Sequence, residues 1–396
     1  MNQSVNIGRR QVMLSSAFAA AGALSPAVLA QAAKSKPLPK YAEWKYIDSL
    51  IVHSSNTIET RRGAFGTSVI VPTDILFVRN NVSAPDASIA YDPDAWELTV
   101  QGVRNPGKMT VGQLKRLGIE TVATVLQCSG NGRAFFAHKA SGTQWAVGAA
   151  GCVLWSGVPL AALAKAMGGV AAGVQFVTGS GGETIPPGVD RRQVVVERSV
   201  PLKAMETALL AWEMNGEPLP LAHGGPLRLV IPGYYGVNNV KYLSRLSFTE
   251  TETNANIQAT GYRIRDIGKK GAPAQPTMWE MNVKSWINHP SGEGPVSPGT
   301  VQIHGVAFAG VTPVTRVEVS ADGGKTWRDA RFIGPDLGRF AWRQFVLPVQ
   351  LGAGSHVLVS RATDAAGNVQ PAERLENERG YGHNGWRDHA VKVTAA

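Results

Sequence analysis

Apolar positions along the chain come in short runs broken by turn residues, not in long helical stripes. Between about 65 and 265, runs at 75–78, 96–100, 122–127, 174–177 and 227–231 predict short buried strands. Helix starts are interleaved with them. Thr110 followed by Gln113 forms a capping box ahead of Leu114 and Leu117, and Gly118 can end that helix. Pro159 suits the first turn of a helix carrying Leu160, Leu163 and Met167, stopped by Gly168 and Gly169. Pro201 likewise predicts a helix over 202–214, closed by Asn215 and Gly216. From about 275 the texture changes, after Pro273 and Pro276. Alternating runs at 301–306, 314–320, 340–347 and 356–361, with turns such as Asp322-Gly323-Gly324 between them, predict an immunoglobulin-like β-sandwich. The expected class is α+β: a mixed α/β region over 65–272, then a sandwich over 273–396. A lead-in segment at 33–64 is kept extended at Pro37 and Pro39.

Composition narrows the function classes. With 44% hydrophobic and 17% charged residues in 396, the chain is neither disordered nor a membrane-embedded bundle. Its 44 glycines and 24 prolines exceed the ordinary combined share of ~12%, so loops and strands should outweigh helices. The net charge of +10 is spread out. No basic run or recognition motif points to nucleic acid. A diffuse positive field suits a small anionic substrate or an acidic partner, and serves solubility equally well. Residues 1–32 read as an export label. Arg9 and Arg10 precede an Ala-rich run at 12–30, no acidic residue occurs in the first 30 positions, and Ala30-Gln31-Ala32 offers a cleavage site. The paired arginines predict the twin-arginine route, and so a periplasmic protein exported folded. No later stretch is long and apolar enough to serve as a membrane anchor.

Cys128 and Cys152 allow one disulfide but no disulfide scaffold. There is no C-x-x-C-H for a c-type haem, and neither H-E-x-x-H nor G-x-S-x-G occurs, which weakens zinc-protease and serine-hydrolase readings. The most informative stretch is Val125-Leu126-Gln127-Cys128-Ser129-Gly130-Asn131-Gly132-Arg133. An apolar strand ends at Cys128, and small residues turn the chain at the strand's carboxyl end, where open α/β sheets hold ligands. A thiolate there is a nucleophile or a soft-metal ligand. A buried structural cysteine is the other reading of the residues alone.

Gln127 to Arg133 resembles the C-A-G-N-x-R segment of the sulfite oxidase family. Phe77-Val78-Arg79-Asn80-Asn81 is similar to that family's F-x-R-N-H, and Ala211 to Pro220 to its helix-closing A-Y-E-M-N-G-x-P-L-P. His223-Gly224-Gly225-Pro226-Leu227-Arg228, Pro232-Gly233 and Val240-Lys241-Tyr242-Leu243 resemble its H-G-x-P-x-R, P-G and V-K-x-L. Ser320 to Trp327, Asn368 to Pro371 and Asn377-Glu378-Arg379-Gly380 resemble its dimerisation domain. The motifs run in order over roughly 70–390.

The resemblance implies a molybdopterin-binding catalytic domain over 65–272, an immunoglobulin-like dimerisation domain over 273–396, and a homodimer. The implied cofactor is molybdenum with one pyranopterin, Cys128 being the protein's metal ligand. A Cys128–Cys152 disulfide would compete with that role, and Cys152 reads as core. Arg79, Arg133 and Arg379 match the family's anion-pocket arginines, whose guanidinium forks pair with oxyanion oxygens. Tyr262 matches its active-site tyrosine and Trp145 its pocket tryptophan. Phe77, Val78, Arg79, Asn80, Asn81, His223, Arg228, Asn239, Val240 and Lys241 would hold the pyranopterin, with Arg228 and Lys241 answering its phosphate. The implied activity is oxidation of sulfite to sulfate by oxo transfer, with electrons passed singly to a c-type cytochrome, since no haem is expected in this chain. Two positions depart from the family. Asn81 stands where His is usual, and Thr178-Gly179-Ser180-Gly181-Gly182 holds no Asp where a pterin-contacting one is expected. The rival readings are a periplasmic methionine-sulfoxide reductase of the same molybdenum fold, and a non-catalytic periplasmic binding module.

Overall fold

Leu209 to Met214 and the run at 150–159 are apolar on both faces, so each needs a neighbour on either side to bury it. In the computed structural model, which describes residues 36–396, they find each other. Glu120–Gln127 pairs with Ala150–Pro159, and that strand with Leu209–Met214, which carries Glu217–Pro218 and Arg228–Val230 on its far edge. A second sheet runs in the order Gly107–Thr110, Glu97–Gln101, Leu243–Thr249, Phe176–Gly181 and Glu197–Pro201. Leu243–Thr249 is parallel to Glu97–Gln101, and the other pairs are antiparallel. A small sheet of Leu50–Ser54, Thr57–Thr60 and Val78–Arg79 flanks them. The export label at 1–32 lies outside the described residues.

The C-terminal alternation becomes two antiparallel four-stranded sheets. One holds Lys284–His289, Gly299–Phe308, Arg343–Leu351 and Arg331–Ile333; the other holds Arg328–Asp329, Val314–Ser320, Gly354–Asp364 and Val391–Ala395. Ile287, Ile303 and Phe345 from the first meet Val317, Val319, Leu358 and Val391 from the second in a shared core. The expected sandwich is present.

Two helix expectations hold. Thr110 Oγ1 accepts from the Gln113 backbone N–H at 3.2 Å, and Gln113 Oε1 accepts from the Thr110 N–H at 2.8 Å, capping Val111–Leu114. Pro159 precedes the helix Leu160–Ala166. The third is wrong. Residues 202–214 form a short turn, Leu202–Glu206, and then the strand Leu209–Met214. A continuous apolar run suits a buried strand as well as a helix, and pairing on both edges decided it. Asn215 and Gly216, both at positive φ, make the hairpin turn to Glu217–Pro218 and not a helix stop. The A-Y-E-M-N-G-like motif is thus a hairpin. The run at 75–78 also yields only Val78–Arg79, because the Ile75 and Leu76 N–H groups turn back onto the Pro72 carbonyl.

One core joins the Cys128 sheet to the sandwich. Leu126, Cys152 and Trp155 pack in the same cluster as Trp286, Phe308 and Trp342. The Val125 N–H donates to the Phe340 carbonyl at 2.9 Å. Trp342, fully buried, donates its indole N–H to the Val69 carbonyl at 2.6 Å. Each such tryptophan contributes roughly 3–5 kcal/mol relative to alanine. The strand that ends at Cys128 therefore rests on a rigid base.

Candidate active site

Three strand ends meet at one cavity, enclosing about 720 Å³ of empty space with its mouth included. Cys128 follows the strand Glu120–Gln127, Arg79 ends Val78–Arg79, and Glu183 follows Phe176–Gly181. The three ends belong to three different sheets, and the Cys128 sheet is antiparallel throughout, so the cavity lies where sheets meet and not at the parallel-sheet crevice the sequence suggested. The Cys128 loop is a tight turn. The Cys128 carbonyl accepts from the Asn131 N–H, and the Gly130 carbonyl from the Arg133 N–H, both at 2.9 Å. A Cβ on Gly130 would meet the Arg133 guanidinium at 2.3 Å, so only glycine lets that side chain fold back beside the loop. Cys128 lines the cavity with its thiol unbonded. Cys152 faces Val125 across the strand pair, fully buried and also unbonded, its thiol pushed up to about 12 by burial. It is a core residue.

Of the residues singled out from the sequence, Phe77, Arg79, Asn80, Asn81, Cys128, His223, Arg228, Asn239, Lys241 and Tyr262 line the cavity. Lys241 Nζ donates to Asn80 Oδ1 at 2.7 Å and to the Ala222 carbonyl at 2.6 Å. Arg228 donates to the His223 carbonyl at 2.7 Å and lies 5.0 Å from the centre of the Trp155 ring. Asn81 donates to the Val194 carbonyl at 2.6 Å and accepts from Arg79 at 3.3 Å, so it props the arginine. Tyr262 is set by a π-helical turn over Ile257–Gly261, its N–H bonding the Ile257 carbonyl at 3.2 Å. Asn239 accepts from the Ile231 N–H and donates to the Tyr234 and Tyr235 carbonyls, which makes it a scaffold for the cavity wall.

The remaining candidates sit behind the wall. Val78 and Val240 are fully buried and absent from the lining. Trp145 is fully buried against Phe77 and His53, 6.4 and 5.1 Å between ring centres. Arg133 is buried and donates to the Arg379 and Thr143 carbonyls at 2.9 and 2.8 Å. It thereby ties the Cys128 loop to the segment carrying Arg379.

Three residues escaped the sequence reading. Lys45, from the lead-in segment, reaches His223 Nε2 at 3.2 Å and the Thr73 carbonyl at 2.6 Å. No motif surrounds it. Glu183 lines the cavity one residue beyond the stretch where an Asp was sought. A Cβ on Gly181 would meet its Oε2 at 2.2 Å, so the glycine lets the carboxyl lie back across the strand end. The signal was a lone acid directly after a small-residue turn. Tyr381 directly follows the N-E-R-G motif at 377–380 and stacks on Tyr262.

The electrostatics are one-sided. Burial, then Arg228, Arg79 and Lys45, drive the Lys241 ammonium well below its ordinary range. Burial lowers Lys45 to about 7 and Arg228 to about 9, and His223 is held neutral by burial and these cations. Glu183 is the carboxylate among the lining residues, and burial raises it to about 7. Asn80 Nδ2, Ser129 Oγ and Arg228 Nε are buried without partners. Crowded cations and spare donors are unfavourable unless an anion meets them. A phosphate-bearing pterin fits that demand. Among the described residues no cluster of three His, Cys, Asp or Glu could hold a metal ion, so a metal at Cys128 must bring its other ligands with it. The residues fit a molybdenum–pyranopterin group.

Comparison with known proteins agrees. Residues 84–257 match the family described as "Oxidoreductase molybdopterin binding domain", and 275–395 that described as "Mo-co oxidoreductase dimerisation domain". The chain is 33% identical over 350 residues to mitochondrial sulfite oxidase of Macaca fascicularis, covering 83% of this chain and 62% of that protein. It is 30% identical over 341 residues to sulfite oxidase of Gallus gallus, covering 80% and 72%. The chain thus spans about 62% of the length of its mammalian relatives. Among solved structures, the sulfane dehydrogenase SoxCD of Paracoccus pantotrophus superposes with a TM-score of 0.73 at 27% identity, covering 91% of this chain and 90% of that one.

Proposed function

From its membership of the sulfite oxidase family, we propose that this chain is a sulfite dehydrogenase of the periplasm, exported folded by the twin-arginine route. It oxidises sulfite to sulfate, works as a homodimer, and passes electrons one at a time to a c-type cytochrome. The observation that carries the reading is the Cys128 thiol opening into the same cavity as Arg79, Lys241, Arg228 and Tyr262.

Bound there, molybdenum with one pyranopterin supplies oxo-transfer and two-electron chemistry. The chain's own residues hold and aim. Cys128 donates its sulfur to the metal. Lys241 and Arg228 meet the phosphate, with Asn80 fixing the lysine and Lys45 backing His223. Glu183 offers a carboxyl oxygen to the N–H groups of the pterin, in place of the missing Asp. Arg79 binds and orients the sulfite anion, while Arg133 and Arg379 strengthen the positive field from behind it. Tyr262, which lines the cavity, would hydrogen-bond the reacting oxygen and hold or pass a proton there. Phe77 and Ile257 keep bulk water from the cavity wall.

The purified protein, assayed with sulfite and ferricyanide alongside elemental analysis, tests the reading. About one molybdenum per chain with sulfite-dependent reduction supports it. Folded, exported protein without the metal, or loaded protein inert to sulfite, overturns it. The likeness to SoxCD makes a sulfane-sulfur substrate the second reading, distinguished by a loaded enzyme that turns over a sulfane-sulfur compound and not sulfite.

A further inference from the structure

Tyr381 is a buried aromatic side chain that none of the roles above uses. Its ring stacks on that of Tyr262, with centres 4.9 Å apart and planes 11° from parallel. The Arg133 and Arg379 guanidinium carbons lie 5.3 and 5.7 Å from the Tyr381 ring centre, and that of Arg198 lies 5.7 Å from the Tyr262 ring centre. Two phenols are thus held together among three guanidinium groups. Each such contact with a ring face is worth roughly 0.5–2 kcal/mol, more when desolvated.

The backbone around Tyr381 is fixed. Its N–H donates to Asn377 Oδ1, and its carbonyl accepts from Asn377 Nδ2, both at 2.9 Å. The next residue, Gly382, donates its N–H to the Ser129 carbonyl at 2.9 Å, which ties Tyr381 to the Cys128 loop. Asn282 Nδ2 holds the Gly382 carbonyl at 2.8 Å. The backbone from which the Tyr381 ring projects is thereby held at both residues.

Its hydroxyl is the spare group. Among the described residues nothing accepts or donates a hydrogen bond to it, and the same is true of Tyr262. Burial above all, then the Tyr262 phenol, keeps Tyr381 protonated, with Arg379, Arg133 and the Cys128 sulfur within electrostatic reach. A neutral O–H between arginines is a donor that keeps its proton at any working pH. Unlike the guanidinium groups, it adds directionality without adding charge.

Resting on the reading proposed above, we propose that Tyr381, packed against the lining residue Tyr262 and not itself part of the lining, is a second phenol at the edge of the substrate pocket, donating a hydrogen bond to a sulfur oxyanion through its hydroxyl and setting the orientation of Tyr262 through its ring. The two roles separate by substitution. Tyr381→Phe keeps the ring and removes the donor; Tyr381→Leu removes both.

Molybdenum content, sulfite kinetics and the affinity for inorganic sulfate by titration calorimetry are measured on the loaded wild type, on both variants and on Tyr262→Phe. With Tyr381→Phe, the sulfate dissociation constant and the sulfite KM rise about tenfold, the worth of one hydrogen bond to a charged group, and kcat falls by less than KM rises. With Tyr381→Leu, kcat falls as well, to the level of Tyr262→Phe, while molybdenum content holds. Unchanged sulfate affinity in Tyr381→Phe overturns the donor, and undiminished kcat in Tyr381→Leu overturns the positioning role. A wild type that neither oxidises sulfite nor binds sulfate overturns the underlying reading and this one with it. An active wild type beside an indifferent Tyr381→Phe overturns this inference alone.

Discussion

Replacing Glu183 by Gln tests whether the cavity is built around an absent anion or is an ordinary polar cleft. The carboxyl is nearly buried, its Oε2 has no partner, and its pKa rises from an ordinary 4.5 to about 7, chiefly through burial. For an acid raised in the folded state the sign is fixed. The unfolded chain gives up this proton near pH 4.5 and the folded chain only near 7, so the contribution is whole below 4.5 and is lost as pH rises to about 7. A gap of that size is worth about 3 kcal/mol. In cofactor-free protein, urea unfolding at pH 5 and pH 8 should therefore show wild type losing about 3 kcal/mol that Glu183→Gln keeps. The two should converge as pH falls towards 4.5. The infrared carbonyl band of a protonated carboxyl group should titrate near pH 7 in wild type and vanish in the variant.

Cofactor binding should invert the comparison. Pterin N–H groups favour a carboxylate acceptor, so loaded wild type should lose its slope, whereas Glu183→Gln presents an amide N–H towards other donors and should retain less pterin after dialysis, read by fluorescence of the released pterin. Identical pH slopes in the two cofactor-free proteins would refute the reasoning, because Glu183 would then titrate as a solvated acid. Equal slopes with and without cofactor would show that nothing in the bound group reaches this carboxyl.

Three other outcomes are expected. Cys128→Ser should lose molybdenum and sulfite oxidation with an unchanged circular dichroism spectrum, and retained turnover would remove the sulfur from the metal. Arg79→Gln should raise the sulfite KM about tenfold, with a smaller loss in kcat, as the loss of a charged contact to the bound anion requires; unchanged kinetics would take it out of the pocket. Lys-Lys in place of Arg9-Arg10 should leave the protein in the cytoplasm on fractionation, and undiminished periplasmic levels would point to the general secretory route.

How far the fold could be read from the sequence depended on whether the deciding information was local. The capping box at Thr110 and Gln113, Pro159 ahead of Leu160, and the period-two runs beyond 299 are local signals, and all formed as expected. Residues 202–214 failed because their apolar run carries no period of its own; two neighbouring strands, distant in sequence, chose between helix and strand. The site divides along the same line. Cys128, Arg79, Asn80, His223, Arg228 and Lys241 sit in motifs and also line one cavity. Lys45 belongs to no motif and becomes part of the site only because its segment packs against His223. Tyr381 sat beside a recognised arginine, but its meaning is a stacking partner more than a hundred positions away in sequence.

The candidate site has two halves that differ in what completes them. On the side of Lys45, Arg228 and Lys241, the chain leaves buried cations short of counter-charge and accepts the loss of stability that follows. Asp74 beside Lys45 and Glu183 beside Lys241 do not outweigh the burial, so that half is finished only by a ligand carrying negative charge. On the side of Tyr262 the backing is already built: Arg133, behind the wall, is bonded to two carbonyls and lies against Tyr381, itself stacked on Tyr262, while Arg379 Nε is left without a partner. That half is rigid before anything binds. A group bound with high affinity and rarely released can draw on the first arrangement, because its binding free energy is also folding free energy. A substrate that must enter and leave in every cycle needs the second, since a pocket that reorganised around each anion would lose the positioning on which turnover depends. The division of the cavity into an unsatisfied half and a preorganised half is therefore what a resident cofactor beside an exchanging oxyanion requires. A simple anion-binding module has no use for the first half or for a thiol between the two.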